Sequence, residues 1–311
     1  MQKNKLLVVV GPTASGKTDM AIKLAQKYNG EVVSADSRQI YRGMDLGTAK
    51  PLRNQKSKIK NQKYIVDGVI HWMIDIKNPD ELYTVAEYKK DAIKAIRDIQ
   101  KRDKLPILVG GTGLYIKAVV DNLEIPKLKA NPSLRKKIER EIEEKGLNFV
   151  FEKLIKLDPE AAYIVDPKNP RRIVRALEIT LLTKKPFSAQ RKTGKPLFDV
   201  LEIGISIPNE KLKERINLRV DQMIEQGLVE EVKNLIKKYG ANQQAFDAIG
   251  YREIIDYLNK KSTLEQAAEI MKINTWHYAK RQMTWFKKNK KIIWIESPKE
   301  ACVLCQDWLS L

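Results

Sequence analysis

Histidine and cysteine are scarce in this sequence, with two of each in 311 residues. Cys302 and Cys305 form a lone C-x-x-C near the C-terminus, and His71 and His277 stand at no finger-like spacing. A structural zinc site takes about four such ligands, so zinc-dependent folding is not expected. Cys305 falls in the apolar spacing of Val303, Leu304, Trp308 and Leu309, which predicts an amphipathic terminal helix. No apolar run approaches the roughly 18 to 20 residues of a membrane span. The first residues lead straight into an apolar strand, without the core and cleavage site of a secretion signal. A cytoplasmic protein without membrane contact is expected. Acids are also short: 39 against 58 Lys and Arg, for a net charge of +19. Such a surplus draws polyanions and makes their binding salt-sensitive. Nucleic acid is therefore the leading partner, and an ordinary lysine-rich protein is the alternative.

An apolar content of 43% is enough for a buried core. Strands are predicted over residues 5–10, 31–35, 70–76 and 105–109, and a helix over 18–28. Thr84 with Glu87 three residues on predicts a capped helix start. Strands alternating with helices predict a parallel sheet with right-handed crossovers. Residues 120–196 show only helical periods: a charged helix after Asn131-Pro132-Ser133 up to Gly146, a second helix over 171–183, and a basic loop over 184–195. Strand character returns at 200–207, and a stretch at 292–295 could rejoin the sheet edge. The expected fold is α/β: a P-loop NTPase-like parallel sheet core from residues 1–119 and 198–311, with a helical insertion domain at 120–197.

The strongest motif is Gly11-Pro12-Thr13-Ala14-Ser15-Gly16-Lys17-Thr18, which matches G-x-x-x-x-G-K-[ST] between a predicted strand and helix. Its glycines let the backbone amides wrap an anion, and the helix N-terminus adds positive potential. Lys17 reaches the outer phosphate, and the Thr18 hydroxyl can ligate Mg²⁺. The motif implies a diphosphate or triphosphate and does not name a nucleotide. Asp36 and Asp75, each after an apolar stretch, are both candidates for a metal-supporting acid. Asp36 could hold a metal, accept a proton, or merely cap a turn. Gln39 offers the donor–acceptor pair suited to an adenine edge, or lies in solvent.

Further segments accompany the P-loop. They are D-S-x-Q-I-Y-R-G-M-D-L-G-T-A-K-P from Asp36 to Pro51, V-G-G-T-G-L-Y from Val109 to Tyr115, and N-P-R-R-I-V-R-A-L-E from Asn169 to Glu178. G-L-V-E-E-V begins at Gly227, A-I-G-Y-R-E at Ala248 and Y-A-K-R-Q-M-T-W at Tyr278. In this order, over about residues 5–287, they resemble the tRNA dimethylallyltransferase family. The resemblance implies that Gly11, Thr13, Ala14, Ser15, Gly16, Lys17 and Thr18 hold the diphosphate of dimethylallyl diphosphate. It implies Asp36 as general base toward an adenine N6, Thr112 beside the reacting groups, and Arg219 on the diphosphate. The acceptor implied is the adenosine 3′ of the anticodon in tRNA, with Mg²⁺ as cofactor and a monomer expected.

The RNA-facing set implied is Asp36, Ser37, Arg38, Gln39, Thr112, Arg135, Arg171, Arg172, Arg175 and Arg252. Residues 272–291 carry seven bases and no acid, with Trp276, Tyr278 and Trp285 interleaved. Lys280 and Arg281 in this stretch are expected on phosphates, while Trp276 and Trp285 suit core packing as well. Many relatives carry two histidines where this chain has His71-Trp72, so His71 is given a structural role. A P-loop kinase, dimethylallyl transfer to free adenine nucleotides, and a non-catalytic RNA-binding protein are the competing expectations.

Overall fold

The computed structural model describes residues 4–51, 64–126, 131–190 and 192–311. Most of the basic stretch 50–63, and Arg191 in the loop 184–195, lie outside the described residues. The chain forms two compact units, Met1–Val120 with Pro196–Leu311, and Asp121–Lys195.

The first unit begins β1 (Lys5–Val10), α1 (Lys17–Lys27), β2 (Gly30–Ser34), β3 (Tyr64–Val66), β4 (Val69–Trp72), α2 (Val85–Lys101), β5 (Leu105–Gly110) and α3 (Gly113–Val120). The second unit contributes α4 (Pro132–Lys145), α5 (Leu147–Leu157), α6 (Ala161–Ile164) and α7 (Pro170–Thr183). The first then resumes with β6 (Asp199–Ile205), α8 (Asn209–Glu225), α9 (Leu228–Tyr239), α10 (Tyr251–Leu258), α11 (Leu264–Phe286), β7 (Ile293–Ile295) and α12 (Pro298–Ser310).

One seven-stranded sheet runs β3-β4-β2-β5-β1-β6-β7. Every pairing is parallel except the β3–β4 hairpin. Strands β1 and β5 are buried along their whole length. A strand covered on both faces needs apolar side chains on both, which explains the unbroken run Leu6 to Val10. The ends of β1, β2 and β5 come close together. A Cβ on Gly110 would lie 2.2 Å from the Ala35 carbonyl oxygen, so only glycine lets β2 and β5 finish this near each other. The three following loops carry the P-loop, Asp36 and Thr112, at the edge where parallel sheets bind ligands.

The strand predicted over 70–76 stops at Trp72, because Met73 and Asp75 turn to φ 66° and 55° and leave the pleat. The sequence prediction omitted β3. Its signal is the Asp67-Gly68 pair between two β-branched runs, with both residues at positive φ, as a two-residue hairpin requires. The predicted capping box is present: Thr84 Oγ1 accepts from the Glu87 amide at 3.2 Å, and the Thr84 amide donates to Glu87 Oε2 at 2.8 Å. Helix α12 lays Ala301 and Cys305 into the sheet core, and burial pushes the Cys305 thiol up to about 12. That environment suits a packing cysteine and opposes a reactive thiolate.

In the second unit, Asn131 and Asn169 each cap a helix whose first residue is proline. Their side-chain oxygens accept from the amides of Leu134 and Arg172. Helix α5 was not separated in the sequence prediction, although Val150 and Leu154, four apart, mark its buried face. Gly146 at φ 86° breaks it from α4. At the centre lies Glu178, fully buried. Arg135 donates to it twice, from Nε and Nη2, both at 3.0 Å. Arg175 donates at 2.5 Å and the Asn131 amide at 2.7 Å. Burial pushes the Glu178 carboxyl up, and these donors outweigh it and hold it below the usual range. Glu178→Ala should destabilise the unit by about 3–5 kcal/mol, since two guanidiniums lose their counter-charge. Chemical denaturation of the full chain measures it, and a loss under about 1 kcal/mol would show the cluster contributes little.

Candidate active site

Strand β1 ends at Val10 and the chain turns through Gly11–Gly16 into α1. Gly16 sits at φ 89°, a conformation an L side chain strains to adopt. The Lys17 ammonium folds across the loop and donates to the Pro12 carbonyl at 2.9 Å. Burial lowers its pKa to about 8, with Asp36 opposing and Arg219 adding to the fall. Arg219, on α8, is half-buried and forms no hydrogen bond or ion pair among the described residues. Burial holds its pKa below the usual arginine range, and the nearby Asp19 raises it. The Ser15 hydroxyl is buried with no partner among the described residues. A half-buried lysine, an unpaired guanidinium and an unsatisfied hydroxyl around one helix N-terminus suit an anion.

Asp36 follows β2. One carboxylate oxygen accepts from the Arg38 amide at 2.8 Å and the Gln39 amide at 3.3 Å, so Asp36 does cap the next turn. Its other oxygen takes no hydrogen bond from the described residues. Thr112, after β5, reaches the same place. Its hydroxyl oxygen accepts from the Ser37 amide at 3.1 Å, and its own amide donates to the Ala35 carbonyl at 3.1 Å.

Two cavities meet here. The larger, about 580 Å³, is lined by Lys17, Thr18, Asp19 and Lys50. The smaller, about 320 Å³, is lined by Ser37, Arg38, Tyr278 and Arg281. Thr13, Asp36, Arg219 and Met223 belong to both walls. Asp36 thus stands between the P-loop side and a side whose wall is part aromatic and part basic.

Distant sequence segments lock this wall together. Glu231 accepts from the amides of Asp45, Leu46 and Gly47, and from the Tyr251 hydroxyl at 2.6 Å. A Cβ on Gly47 would come within 2.5 Å of the Tyr251 ring, so glycine is required there. Buried Lys50 pairs with Asp45 at 2.7 Å and Asp75 at 2.5 Å. Of the two candidate acids, Asp75 is therefore committed to an internal ion pair, and Asp36 keeps an oxygen toward the cavities.

A model of the family described as IPP transferase matches residues 39–289. A protein from Acetivibrio thermocellus named tRNA dimethylallyltransferase is 44% identical over 296 residues, 94% of this chain and 91% of its own. The chain belongs to the IPP transferase family. A similarly named protein from Carboxydothermus hydrogenoformans is 42% identical over 300 residues, 96% of this chain and 93% of that one. Among solved structures, a tRNA isopentenylpyrophosphate transferase from Bacillus halodurans has a TM-score of 0.71 at 39% identity, covering 99% of this chain and 96% of that one. A eukaryotic dimethylallyltransferase acting on tRNA has a TM-score of 0.77 at 28% identity, covering 99% and 80%. The P-loop NTPase-like fold expected from the sequence is the fold of this chain.

Several residues expected to face RNA also have partners within the protein. Arg135 and Arg175 bind Glu178, which leaves only their remaining N–H groups for an outside partner. Arg38 donates through Nη1 to the carbonyls of Gln244 and Ala245. Gln39 gives its amide nitrogen to the Thr48 and Ala49 carbonyls and accepts from Ser34, so the adenine-edge pairing drawn for it is largely taken up. Arg252 is exposed and pairs with Glu253 at 3.3 Å.

Lys280 and Arg281 are exposed, each beside an aromatic ring: Trp276 at 5.4 Å and Tyr278 at 6.0 Å. Trp276 packs with Ala14, Leu212 and Ile216, while Trp285 lies over Gly113 with part of its surface open. Arg171 and Arg172 are exposed on α7. Buried His71 donates from Nδ1 to the Val69 carbonyl, and burial takes its pKa down to about 4, in keeping with a neutral structural residue. Tyr278 and Gln282 were missed as site residues. Their signal was the Y-A-K-R-Q run, but α11 has apolar residues scattered around its circumference, so periodicity did not show which face turns inward.

Proposed function

We propose that this chain transfers the dimethylallyl group of dimethylallyl diphosphate to N6 of the adenosine 3′-adjacent to the anticodon in tRNA. The observation that carries this is the free oxygen of Asp36 where the two cavities meet. The diphosphate lies on the P-loop, within reach of Lys17, Arg219 and the Ser15 hydroxyl. The adenine enters the smaller cavity, beside Tyr278 and Arg281, after leaving its stack. Nitrogen N6 bonds to the allylic carbon as the carbon–oxygen bond to diphosphate breaks. The bonding electrons leave with the diphosphate, and the N6 proton goes to Asp36. An exocyclic amine is a poor nucleophile because its lone pair is delocalised into the ring, so proton removal by a placed carboxylate counts heavily. Thr112, fixed through Ser37, lines up with Asp36 at the acceptor.

No cluster of three His, Cys, Asp or Glu among the described residues could hold a metal ion. Mg²⁺, the cofactor proposed here, binds through one or two protein oxygens plus substrate phosphates and water. Thr18, on the wall of the larger cavity, would hold it. There it would neutralise charge growing on the leaving diphosphate. RNA contacts fall to Lys280, Arg281, Arg171 and Arg172, which are exposed. No helix among the described residues is long and apolar enough to cross a membrane. A cytoplasmic monomer completes the reading.

The test offers radiolabelled dimethylallyl diphosphate and Mg²⁺ with unmodified tRNA, or with AMP, ADP or ATP. Label in tRNA alone is expected. Label in a free nucleotide would overturn the acceptor, and ATP turnover without transfer would favour a kinase.

A further inference from the structure

Gln282 enters the site from α11, and no step drawn above uses it. It is 5% exposed. Its Oε1 accepts from the Thr13 amide of the P-loop at 2.8 Å. Its Nε2 donates to the Gly111 carbonyl at 2.9 Å. Gly111 makes room for this contact, since a Cβ there would stand 2.1 Å from Nε2. One side chain therefore joins three segments: the loop that holds the diphosphate, the turn that carries Thr112, and the helix that carries Lys280 and Arg281. A packing role would not need an amide, because an apolar side chain fills a gap without desolvating polar atoms. Bridging an N–H on one side and a carbonyl on the other needs a group that both accepts and donates, as an amide does.

We propose that Gln282 is a positioning residue for the transfer step, setting the separation between the P-loop and the Gly111–Thr112 turn. That separation fixes how far the allylic carbon stands from the acceptor amine. Displacements of about 1 Å can lower a rate by about 10²-fold, so a residue that never touches substrate can still control turnover. Gln282 also occupies the Thr13 amide. The inference rests on the dimethylallyl-transfer reading of the site.

Gln282→Glu and Gln282→Met, in the full-length chain, test it by single-turnover transfer to tRNA across a range of pH, with thermal unfolding measured alongside. An ionised Glu still accepts from Thr13 but turns a lone pair toward the Gly111 carbonyl. Once protonated, it regains the donor. Burial raises a carboxyl pKa, which brings this titration toward the assay range.

Both variants should lose about 10- to 100-fold in transfer rate at neutral pH with tRNA KM little changed. The rate of the Glu variant relative to wild type should climb as pH falls, while the Met ratio stays flat. A Glu deficit as flat with pH as that of Met, or transfer rates near wild type in folded variants, would overturn the proposal. If the Met variant fails to fold, the pH dependence of the Glu ratio decides alone. Absence of transfer by the wild-type chain would instead remove the functional reading, and the inference with it.

Discussion

Asp36→Asn should lower the transfer rate by about 10²–10⁴-fold while the protein folds and binds tRNA as before. The asparagine oxygen can still accept from the Arg38 and Gln39 amides, so the turn keeps its cap. What is lost is a basic oxygen for the N6 proton. Asp36→Ala removes cap and base together and should add a stability cost of about 1 kcal/mol. The pair of variants separates the two duties of this residue. Equal stability and near-normal turnover for Asn would show that Asp36 is only a cap. Lost turnover with unchanged tRNA affinity would place the defect in the chemistry.

Lys17→Met should reduce transfer by about 10²–10³-fold, the usual cost of losing one group that stabilises developing charge. The leaving diphosphate gains negative charge as the allylic carbon departs, and Lys17 stands half-buried at the loop proposed to receive it. Lys17→Arg should rescue little, because a planar guanidinium does not replace a compact ammonium folded against the Pro12 carbonyl.

A pH effect accompanies this substitution. With its pKa lowered to about 8, Lys17 in the empty enzyme is charged below that pH and neutral above it. Diphosphate binding favours the charged form, so affinity should weaken as pH rises through about 8, with a proton taken up on binding. Isothermal titration in two buffers of different ionisation heat measures that uptake. In Lys17→Met the uptake should disappear. If it persisted unchanged, another group would own the titration.

Much of this was legible in the sequence, and the exceptions have physical causes. The P-loop could be read because the backbone conformation it needs constrains residue type at fixed positions, Gly16 above all. The sheet could be read because strands buried on both faces are apolar throughout, as β1 and β5 are. Asp36 was found from its place after a strand, but whether it capped or catalysed depended on two oxygens with different neighbours, which no sequence displays. The internal ion pairs of Arg135 and Arg175 were not foreseen for a related reason. A basic residue on a helix shows its charge, while its buried partner Glu178 lay 43 and 3 residues away and had no pattern of its own. Gln282 was hidden because its partners are backbone groups, Thr13 N and Gly111 O, which carry no sequence signal. The functional segments stand far apart in sequence because they form one wall: Gly47, Glu231 and Tyr251 touch.

The most direct single test is nucleoside analysis of an unmodified tRNA after incubation with the protein, dimethylallyl diphosphate and Mg²⁺. The expected product is N6-dimethylallyladenosine, confined to the adenosine that follows the anticodon, and formed in proportion to the diphosphate released. Modification at another base or position, or diphosphate release with the tRNA unchanged, would contradict the site as assigned.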